Sequence, residues 1–176
     1  EVFFEKIGMK GRRIYEPKAD RPYLHPGRQA DIVYDGKLLG YLGEVHPQVA
    51  DNYGIGTRAY VAVLDMPMIL GYATFDRKYC GIAKYPAVSR DISMVVPKGV
   101  LVGQIESMLL QRGGKYLESF ELFDLYEGAQ IQEGFKSVAY SVVFRAPDKT
   151  LEEADVTAVM KKILNGLESL GIKLRE

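Results

Sequence analysis

Residues 134–167 read GFKSVAYSVVFRAPDKTLEEADVTAVMKKILNGL, and the spacing of their apolar residues changes partway along. Alternating apolar residues predict a strand over residues 136–145 with one buried face. Further along, apolar residues recur at helical spacing, which predicts an amphipathic helix that ends at Gly171. We expect Thr150 to cap this helix, with Glu153 completing a capping box. A strand that passes directly into such a helix indicates a domain of mixed α and β structure.

The segments on either side of this stretch complete the order of elements. Strands are predicted over residues 91–96, 117–126, 136–145 and 172–174. A helix follows the first of them and is stopped by Gly113 and Gly114. The order β-α-β-β-α-β is the ferredoxin-like arrangement, so the predicted fold class of this part is α+β.

The first part of the chain predicts a hairpin among shorter elements. Asp35 and Gly36 are a strong turn signal between strands over residues 30–34 and 37–45. A turn-rich stretch is expected over residues 23–30. Three glycines at the turn and in the return strand predict a bulge or a close approach of two backbones: Gly36, Gly40 and Gly43.

These patterns divide the chain into two parts. Residues 1–75 form a mixed α/β segment, and residues 83–176 form the ferredoxin-like domain. Residues 76–88 lack a sustained period and are interpreted as a linker, with the boundary near Cys80.

Composition and charge restrict the function classes. The chain has 176 residues, with 23 Lys and Arg against 23 Asp and Glu, so its formal net charge is zero. A neutral chain does not coat nucleic acid by bulk electrostatics, although a local basic face remains open. No apolar run approaches the roughly 20 residues of a membrane helix. The single cysteine, Cys80, excludes an internal disulfide and fits a reducing, cytoplasmic compartment.

None of the usual catalytic motifs occurs in the sequence: there is no phosphate loop, nucleophile elbow or pair of histidines on a helix. His25 and His46 each precede a proline, and we interpret both as loop histidines that bond to backbone. Arg28 follows a Pro-Gly turn, and two roles are open for its guanidinium fork. In a functional role it would bind a carboxylate or a phosphate, and in a structural role it would attach the turn to a neighbouring strand or a partner chain. We favour the structural role.

The predicted second sheet has one face covered by both helices and one open face, of the kind that RNA-recognition domains use to stack bases. Four apolar residues are expected to face the helices: Val138, Tyr140, Val142 and Phe144. The open face then carries Ser137, Ala139, Ser141, Val143 and Arg145. In the strand predicted over residues 117–126, alternation places four residues on one common face, but it does not indicate whether this is the open face: Phe120, Leu122, Asp124 and Tyr126. Four cations are interpreted as a solvated rim: Lys161, Lys162, Lys173 and Arg175.

Several segments of the second part resemble the ferredoxin-fold anticodon-binding domain of phenylalanyl-tRNA synthetases. They are KYPAVSRDIS at 84–93, LFDLYEG at 122–128, GFKSVAY at 134–140, and the stretch from Phe144 through DKTL at 148–151. Two segments of the first part resemble the end of the catalytic-like module of the bacterial beta subunit: LHPGRQA at 24–30 and LGEVHP at 42–47. The chain is therefore similar to the C-terminal piece of such a beta subunit, a module of class II synthetase-like type followed by an anticodon-binding domain.

The resemblance implies a division of roles. In that family the enzyme is an α2β2 heterotetramer, whose alpha subunit binds ATP, magnesium and phenylalanine and carries out aminoacylation. The terminal domain of the beta subunit contacts the anticodon region of tRNA-Phe. We therefore expect a chain with no cofactor and no chemistry of its own, with tRNA-Phe and the alpha subunit as partners, and with no membrane association.

The resemblance also implies tRNA contacts by residues of the open face and its edge: Arg90, Asp91, Tyr126, Ser137, Ser141 and Arg145. Tyr126 is expected either to stack on a base or to pack under the hairpin loop. Arg90 and Asp91 are expected either to form an internal ion pair or to face tRNA. A second hypothesis is a protein-interaction module whose open face meets another subunit. A small-molecule regulatory domain is disfavoured, because no glycine-rich ligand loop occurs beyond Lys98 and Gly99.

Overall fold

A computed structural model describes residues 1–9, 11–74, 81–128 and 130–175. The chain divides into two compact units, Glu1–Cys80 and Gly81–Glu176, which we call the first unit and the second unit. Part of the linker expected over residues 76–88, including Cys80, lies outside the described residues. Each unit has its own sheet and its own apolar core.

The described part of the first unit is an antiparallel sheet with short helices. Its elements are α1 (Val2–Lys6), β1 (Ile14–Lys18), β2 (Leu24–Tyr34), β3 (Lys37–Val45), α2 (Pro47–Asn52), β4 (Tyr60–Leu64) and α3 (Met66–Tyr72). The strand order is β1-β2-β3-β4. Phe4 of α1 and Ile69 of α3 are buried in one core with Ile32 and Leu39 of the sheet, so both helices pack on the same face.

The hairpin between β2 and β3 is confirmed at the predicted turn. Tyr34 pairs with Lys37, and the two residues between them, Asp35 and Gly36, have positive φ values of 50° and 70°. Positive φ at both central positions is the geometry of a type I′ turn, which matches the twist of the flanking strands.

The prediction of turns over 23–30 is wrong, because most of this stretch belongs to β2, which begins at Leu24. A shift of register between Leu24 and Gln29 accommodates Pro26 and Gly27 within the strand. Leu24 and Gln29 are both buried, so packing holds the segment in the sheet despite its turn-forming residues.

The second unit has the predicted ferredoxin-like order. Its elements are β5 (Val88–Pro97), α4 (Val102–Gly113), a short 3-10 helix (Gly114–Tyr116), β6 (Leu117–Tyr126), β7 (Phe135–Phe144), α5 (Glu153–Glu168) and β8 (Lys173–Leu174). The strand order is β6-β7-β5-β8, with every pair antiparallel. Ile105 of α4 and Ile163 of α5 are fully buried in the same core as Tyr140 of β7. Both helices therefore cover one face of the sheet, the other is the open face, and the α+β prediction is confirmed.

The start of α5 differs from the prediction. The N-cap residue is Glu152 and not Thr150, and the helix begins at Glu153. A carboxylate oxygen of Asp155 accepts a hydrogen bond from the backbone N–H of Glu152 at 3.3 Å. Leu151 is buried, which draws the chain into the core just before the helix, so capping occurs later than the spacing indicated.

Candidate nucleic-acid interface

The central strand β7 has two different faces. The residues predicted to face the helices are fully buried in the core: Val138, Tyr140, Val142 and Phe144. Alternation places Ser137, Ala139, Ser141 and Val143 on the open face. Of these, Ser141 and Val143 are partly exposed, whereas Ser137 and Ala139 are buried. Small side chains therefore form the floor of the open face, which lets a flat ligand lie close to the sheet.

A bulge in β6 decides which of its side chains reach the open face. Phe120 and Leu122 pair with core residues of β7 and pack into the core. The register then shifts, and Asp124 and Tyr126 pair with open-face residues of β7. Directly opposed residues of an antiparallel pair point to the same side of a sheet, so Asp124 and Tyr126 lie on the open face. The expectation that these four residues share a face is wrong, because the extra residue Phe123 reverses the alternation.

The surroundings of Tyr126 are compatible with both roles considered for it, stacking on a base and packing under the hairpin loop. It lies opposite Ser137 and is 40% exposed. Its hydroxyl end lies so close to Gly128 that any side chain at that position would collide with it. The start of the hairpin loop thus borders one end of the ring, while part of the ring stays accessible.

Three exposed carboxylates lie on the open face. Asp91 of β5 and Glu121 of β6 both lie opposite Ser141, and Asp124 lies opposite Ala139. Carboxylates repel phosphates but accept hydrogen bonds from the amino groups of bases. The middle of the face therefore suits bases better than it suits the phosphate backbone. Of these three, only Asp91 was among the expected site residues, because placing Asp124 on this face requires knowledge of the bulge.

Two cations beside β8 border the open face. Lys173 pairs with Val95 of β5 and is exposed. Nη1 of Arg175 donates to the hydroxyl oxygen of Ser137 at 3.4 Å. Two residues interpreted from sequence as a solvated rim thus border the open face at this end.

Arg145 is held by two neighbouring segments. Its Nε lies 3.0 and 2.9 Å from the carboxylate oxygens of Glu118, and its Nη1 donates to the carbonyl oxygen of Tyr85 at 2.6 Å. These contacts tie the start of β6 and the segment before β5 to the end of β7. Arg145 therefore holds segments of the second unit together and is not a freely extended cation on the open face.

Arg90 does not lie at the edge of the open face, in contrast to the expectation. It pairs with Val142, which faces the helices, and its Nη2 donates to Oε2 of Glu153 on α5 at 2.5 Å. Asp91 lies on the opposite face, because successive residues of a strand point to opposite sides. The internal ion pair between Arg90 and Asp91 is therefore also wrong, and Glu153 is the partner of Arg90.

In the first unit, Arg28 has the structural role that the sequence favoured. Its Nη1 donates to both carboxylate oxygens of Glu44, at 3.0 and 2.7 Å, and Glu44 is buried. The hydrogen bond from Arg28 is the main reason that the pKa of Glu44 lies below its usual value.

The two histidines of the first unit bond to backbone, as expected of loop histidines. The Nδ1 atoms of His25 and His46 each accept a hydrogen bond from a nearby backbone N–H.

The described residues contain neither a metal-binding cluster of side chains nor a helix that could cross a membrane. Among them, no three His, Cys, Asp or Glu side chains are grouped so that they could hold a metal ion. None of the helices there has both the length and the apolar character that crossing a membrane requires.

Comparison with known proteins assigns both parts of the chain. Residues 83–175 match the family model of the ferredoxin-fold anticodon binding domain, and residues 1–66 match that of the phenylalanyl tRNA synthetase beta chain CLM domain. The phenylalanine–tRNA ligase beta subunit of Clostridium tetani (strain Massachusetts / E88) is 45% identical over 176 residues, which are 99% of this chain and 22% of that protein. The subunit of the same name from Bacillus subtilis (strain 168) is 42% identical over 151 residues, which are 86% of this chain and 19% of that protein. The chain spans about a fifth of the length of these curated relatives.

Proposed function

We propose that this chain, which belongs to the family of ferredoxin-fold anticodon-binding domains, binds the anticodon region of tRNA-Phe as part of a phenylalanine–tRNA ligase beta subunit. The observation that carries the proposal is the open face, where the accessible ring of Tyr126 stands beside a floor of small side chains that includes Ser137. Sequence-specific RNA recognition stacks unpaired bases on aromatic rings and bonds to their edges. This face offers both kinds of contact.

The distribution of charge suggests how the RNA lies on the open face. We place bases over β6 and β7, where one base stacks on Tyr126 and where Ser141 and Asp91, farther along the face, bond to base edges. Phosphates lie toward the β8 edge of the sheet, where Lys173 and Arg175 border the face. Phosphate contacts orient the RNA and base contacts give specificity, so the two groups of residues have separate tasks.

The proposal assigns the rest of the chain by the same family relation. Residues 1–75 belong to the catalytic-like module, residues 76–88 are the linker, and residues 83–176 are the anticodon-binding domain. The intact cytoplasmic ligase, assembled with the alpha subunit, charges tRNA with phenylalanine and uses ATP and magnesium.

Titration of labelled tRNA-Phe with the purified chain, at low and at moderate salt, tests the proposal. Tyr126→Ala should weaken binding by about 5- to 150-fold, equivalent to roughly 1–3 kcal/mol for one lost stacking platform. Leu125→Ala is the matched control, because Leu125 is exposed on the same strand but pairs with Val138 and so lies on the helix side. Wild-type affinity should fall as salt rises, since phosphate contacts contribute to it.

The same titration distinguishes two roles for Arg145. If Arg145 contacts phosphate, Glu118→Gln weakens the ion pair that holds the guanidinium and strengthens RNA binding. If Arg145 positions the segments around it, Glu118→Gln and Arg145→Lys both weaken RNA binding.

Equal affinities of wild type and Tyr126→Ala for tRNA-Phe at both salt concentrations would contradict the assignment of the open face as the RNA-binding surface.

A protein-binding role for the open face is the second candidate, and its exposed carboxylates are the observation that favours it. A basic surface on another subunit would complement them. Glu121→Lys separates the candidates, because an added cation should strengthen binding of RNA and weaken binding of a basic protein surface. Binding of purified alpha subunit and of tRNA-Phe to this variant measures both.

A further inference from the structure

A cavity lies in the second unit where the hairpin loop joins β6 to β7. It has a volume of about 360 Å³, and its walls include Lys98, Glu127, Gln132, Glu133 and Phe135. Pockets for small ligands have volumes of roughly 300–1,000 Å³, so this cavity has room for one nucleobase. Gly128 also lines it, and a side chain there would collide with the hydroxyl end of Tyr126. The cavity therefore borders the part of the open face that holds Tyr126.

Phe135 brings a second aromatic ring to this end of the open face. It lies two residues before Ser137 in β7, and residues two apart in a strand point to the same side, so Phe135 shares the open face with Ser137. Tyr126 pairs with Ser137, which places Phe135 on the diagonal from Tyr126, about 7–8 Å away. The side chain of Phe135 is half-buried and lines the cavity, so part of its ring is accessible.

Two contacts hold the walls of the cavity together. Nζ of Lys98 lies 3.3 Å from Oε2 of Glu127, and the backbone N–H of Lys98 donates to the carbonyl oxygen of Gly134 at 2.9 Å. These contacts tie the start and the end of the hairpin loop to the turn after β5. Walls that are already in place lower the cost of ordering them when a ligand binds.

The polar side chains of the cavity suit the edge of a base better than they suit a phosphate. The described residues that line it supply two carboxylates against one ammonium group, and Lys98 already pairs with Glu127. The carboxylate of Glu133 accepts hydrogen bonds, which suits the exocyclic amino group of a base. The amide of Gln132 both donates and accepts. Adenine, cytosine and guanine carry such an amino group, whereas uracil does not.

We propose that this cavity, with Phe135 as its stacking platform, is a second base subsite of the open face. It takes the unpaired base next to the one that stacks on Tyr126, and it prefers a base with an exocyclic amino group. Sheets of RNA-recognition domains stack two or three bases on aromatic residues, so two neighbouring rings suit consecutive nucleotides. The inference rests on the proposed binding of tRNA-Phe by the open face, and it extends that face to the hairpin loop.

Titration with stem-loop RNAs that carry the anticodon loop of tRNA-Phe, each lacking one base, tests the proposal. In the wild-type chain, loss of either stacked base should weaken binding by about 5- to 150-fold. In Phe135→Ala, loss of one of these two bases should no longer weaken binding. In Tyr126→Ala, loss of the neighbouring base should no longer do so.

Phe135→Tyr keeps a ring at this position and should show both wild-type losses. Leu125→Ala, on the helix side of β6, is the matched control and should also show both. If Tyr126→Ala abolishes the loss at one position while Phe135→Ala abolishes none, or if both variants abolish the same one, the second subsite is wrong and the RNA-binding face stands. If neither variant abolishes a loss, the RNA-binding face itself is wrong.

Glu133→Gln keeps the test decisive where Phe135→Ala does not fold, because Glu133 lies exposed on the loop. RNAs that differ only in carrying cytosine or uracil at one loop position are compared. At the position next to the one served by Tyr126, the wild-type chain should bind cytosine about 10-fold more tightly than uracil, because a carboxylate bonds to the amino group of cytosine alone. Glu133→Gln should lose most of this preference. The same ratio of affinities in both proteins at every loop position overturns the proposal.

Discussion

Lys149 and Asp155 form an ion pair at the start of α5, with Nζ and Oδ2 2.5 Å apart. The same carboxylate accepts the backbone N–H of Glu152. The hydrogen bond from Lys149, followed by that from Glu152, holds the pKa of Asp155 below its ordinary value. Negative charge is also favourable at the N-terminal end of a helix. The ionised form of Asp155 is therefore stabilised by folding.

We expect the contribution of Asp155 to stability to depend on pH. A carboxyl whose pKa is lowered by folding contributes stability that is fully present above its ordinary value, here 3.8, and is lost as pH falls through the lowered folded value. Asp155→Asn should therefore be less stable than wild type at neutral pH, and the difference should vanish in acid. Urea unfolding at several pH values measures this, with Asp148→Asn, on the preceding exposed loop, as the control. A difference that stays constant with pH would contradict the assignment.

The sequence predicted a strand that begins directly after Arg90 and a strand that ends at Arg145, but it did not predict what these side chains contact. Arg90 bonds to Glu153, which lies 63 residues away, and Arg145 bonds to Tyr85, which lies 60 residues away. Such partners are set by the three-dimensional distance between remote segments. Periodicity reports only which side of its own element a residue occupies.

At the scale of elements, Gly40 marks a close approach of β3 to β4. This residue has a φ of 148°, and a β-carbon there would collide with the backbone oxygen of Val63 in β4. Glycine therefore permits both the backbone conformation and the short distance between the strands. The close approach predicted from the number of glycines around β3 is confirmed at this position.

Gly40→Ala should destabilise the first unit by roughly 2–4 kcal/mol, because the added methyl group requires both a strained φ and a displacement of β4. Gly56→Ala is the control, since a side chain at Gly56 meets nothing within 4 Å. Urea denaturation of both variants measures the difference. Equal free energies of unfolding for the two variants would contradict the prediction, because they would show that β4 moves to accommodate the methyl group without a loss of stability.

The helices and most strands of the second unit could be predicted because their periods are local, whereas the faces of β6 could not. Its strand was recognised, but the bulge at Phe123 depends on the register against β7. Register is a relation between two strands and is not encoded in the alternation of either one. The placement of Tyr126 on the open face therefore required the structure.

At the scale of the whole molecule, the two units have cores of different size. The core of the second unit draws buried residues from β5, β7 and both long helices, and partly buried residues of β6 pack against it. The core of the first unit is smaller and consists of Phe4, Met9, Ile32, Leu39 and Ile69. Stability from burial grows with the apolar area removed from water, so the second unit should be the more stable one.

We expect residues 81–176, expressed alone, to unfold in one cooperative transition. Residues 1–80 alone should unfold at a lower temperature or lack a cooperative transition, because their core is small and β4 has an open edge. Differential scanning calorimetry of both pieces and of the whole chain measures this. A higher transition temperature for residues 1–80 would reverse the ranking of the two cores.

The position of β5 at the centre of its sheet affects how the chain folds during synthesis. The first sheet can form in the order in which the ribosome releases it, because each of its strands pairs with the next along the chain. In contrast, β5 is synthesised before both strands that pair with it, β7 and β8. The residue that pairs with Met94, Leu174, is synthesised only near the end of the second unit. Non-local pairing of this kind is slow and leaves apolar surface uncovered in the meantime. The apolar residues of β5 thus remain accessible to chaperones through most of the translation of the second unit.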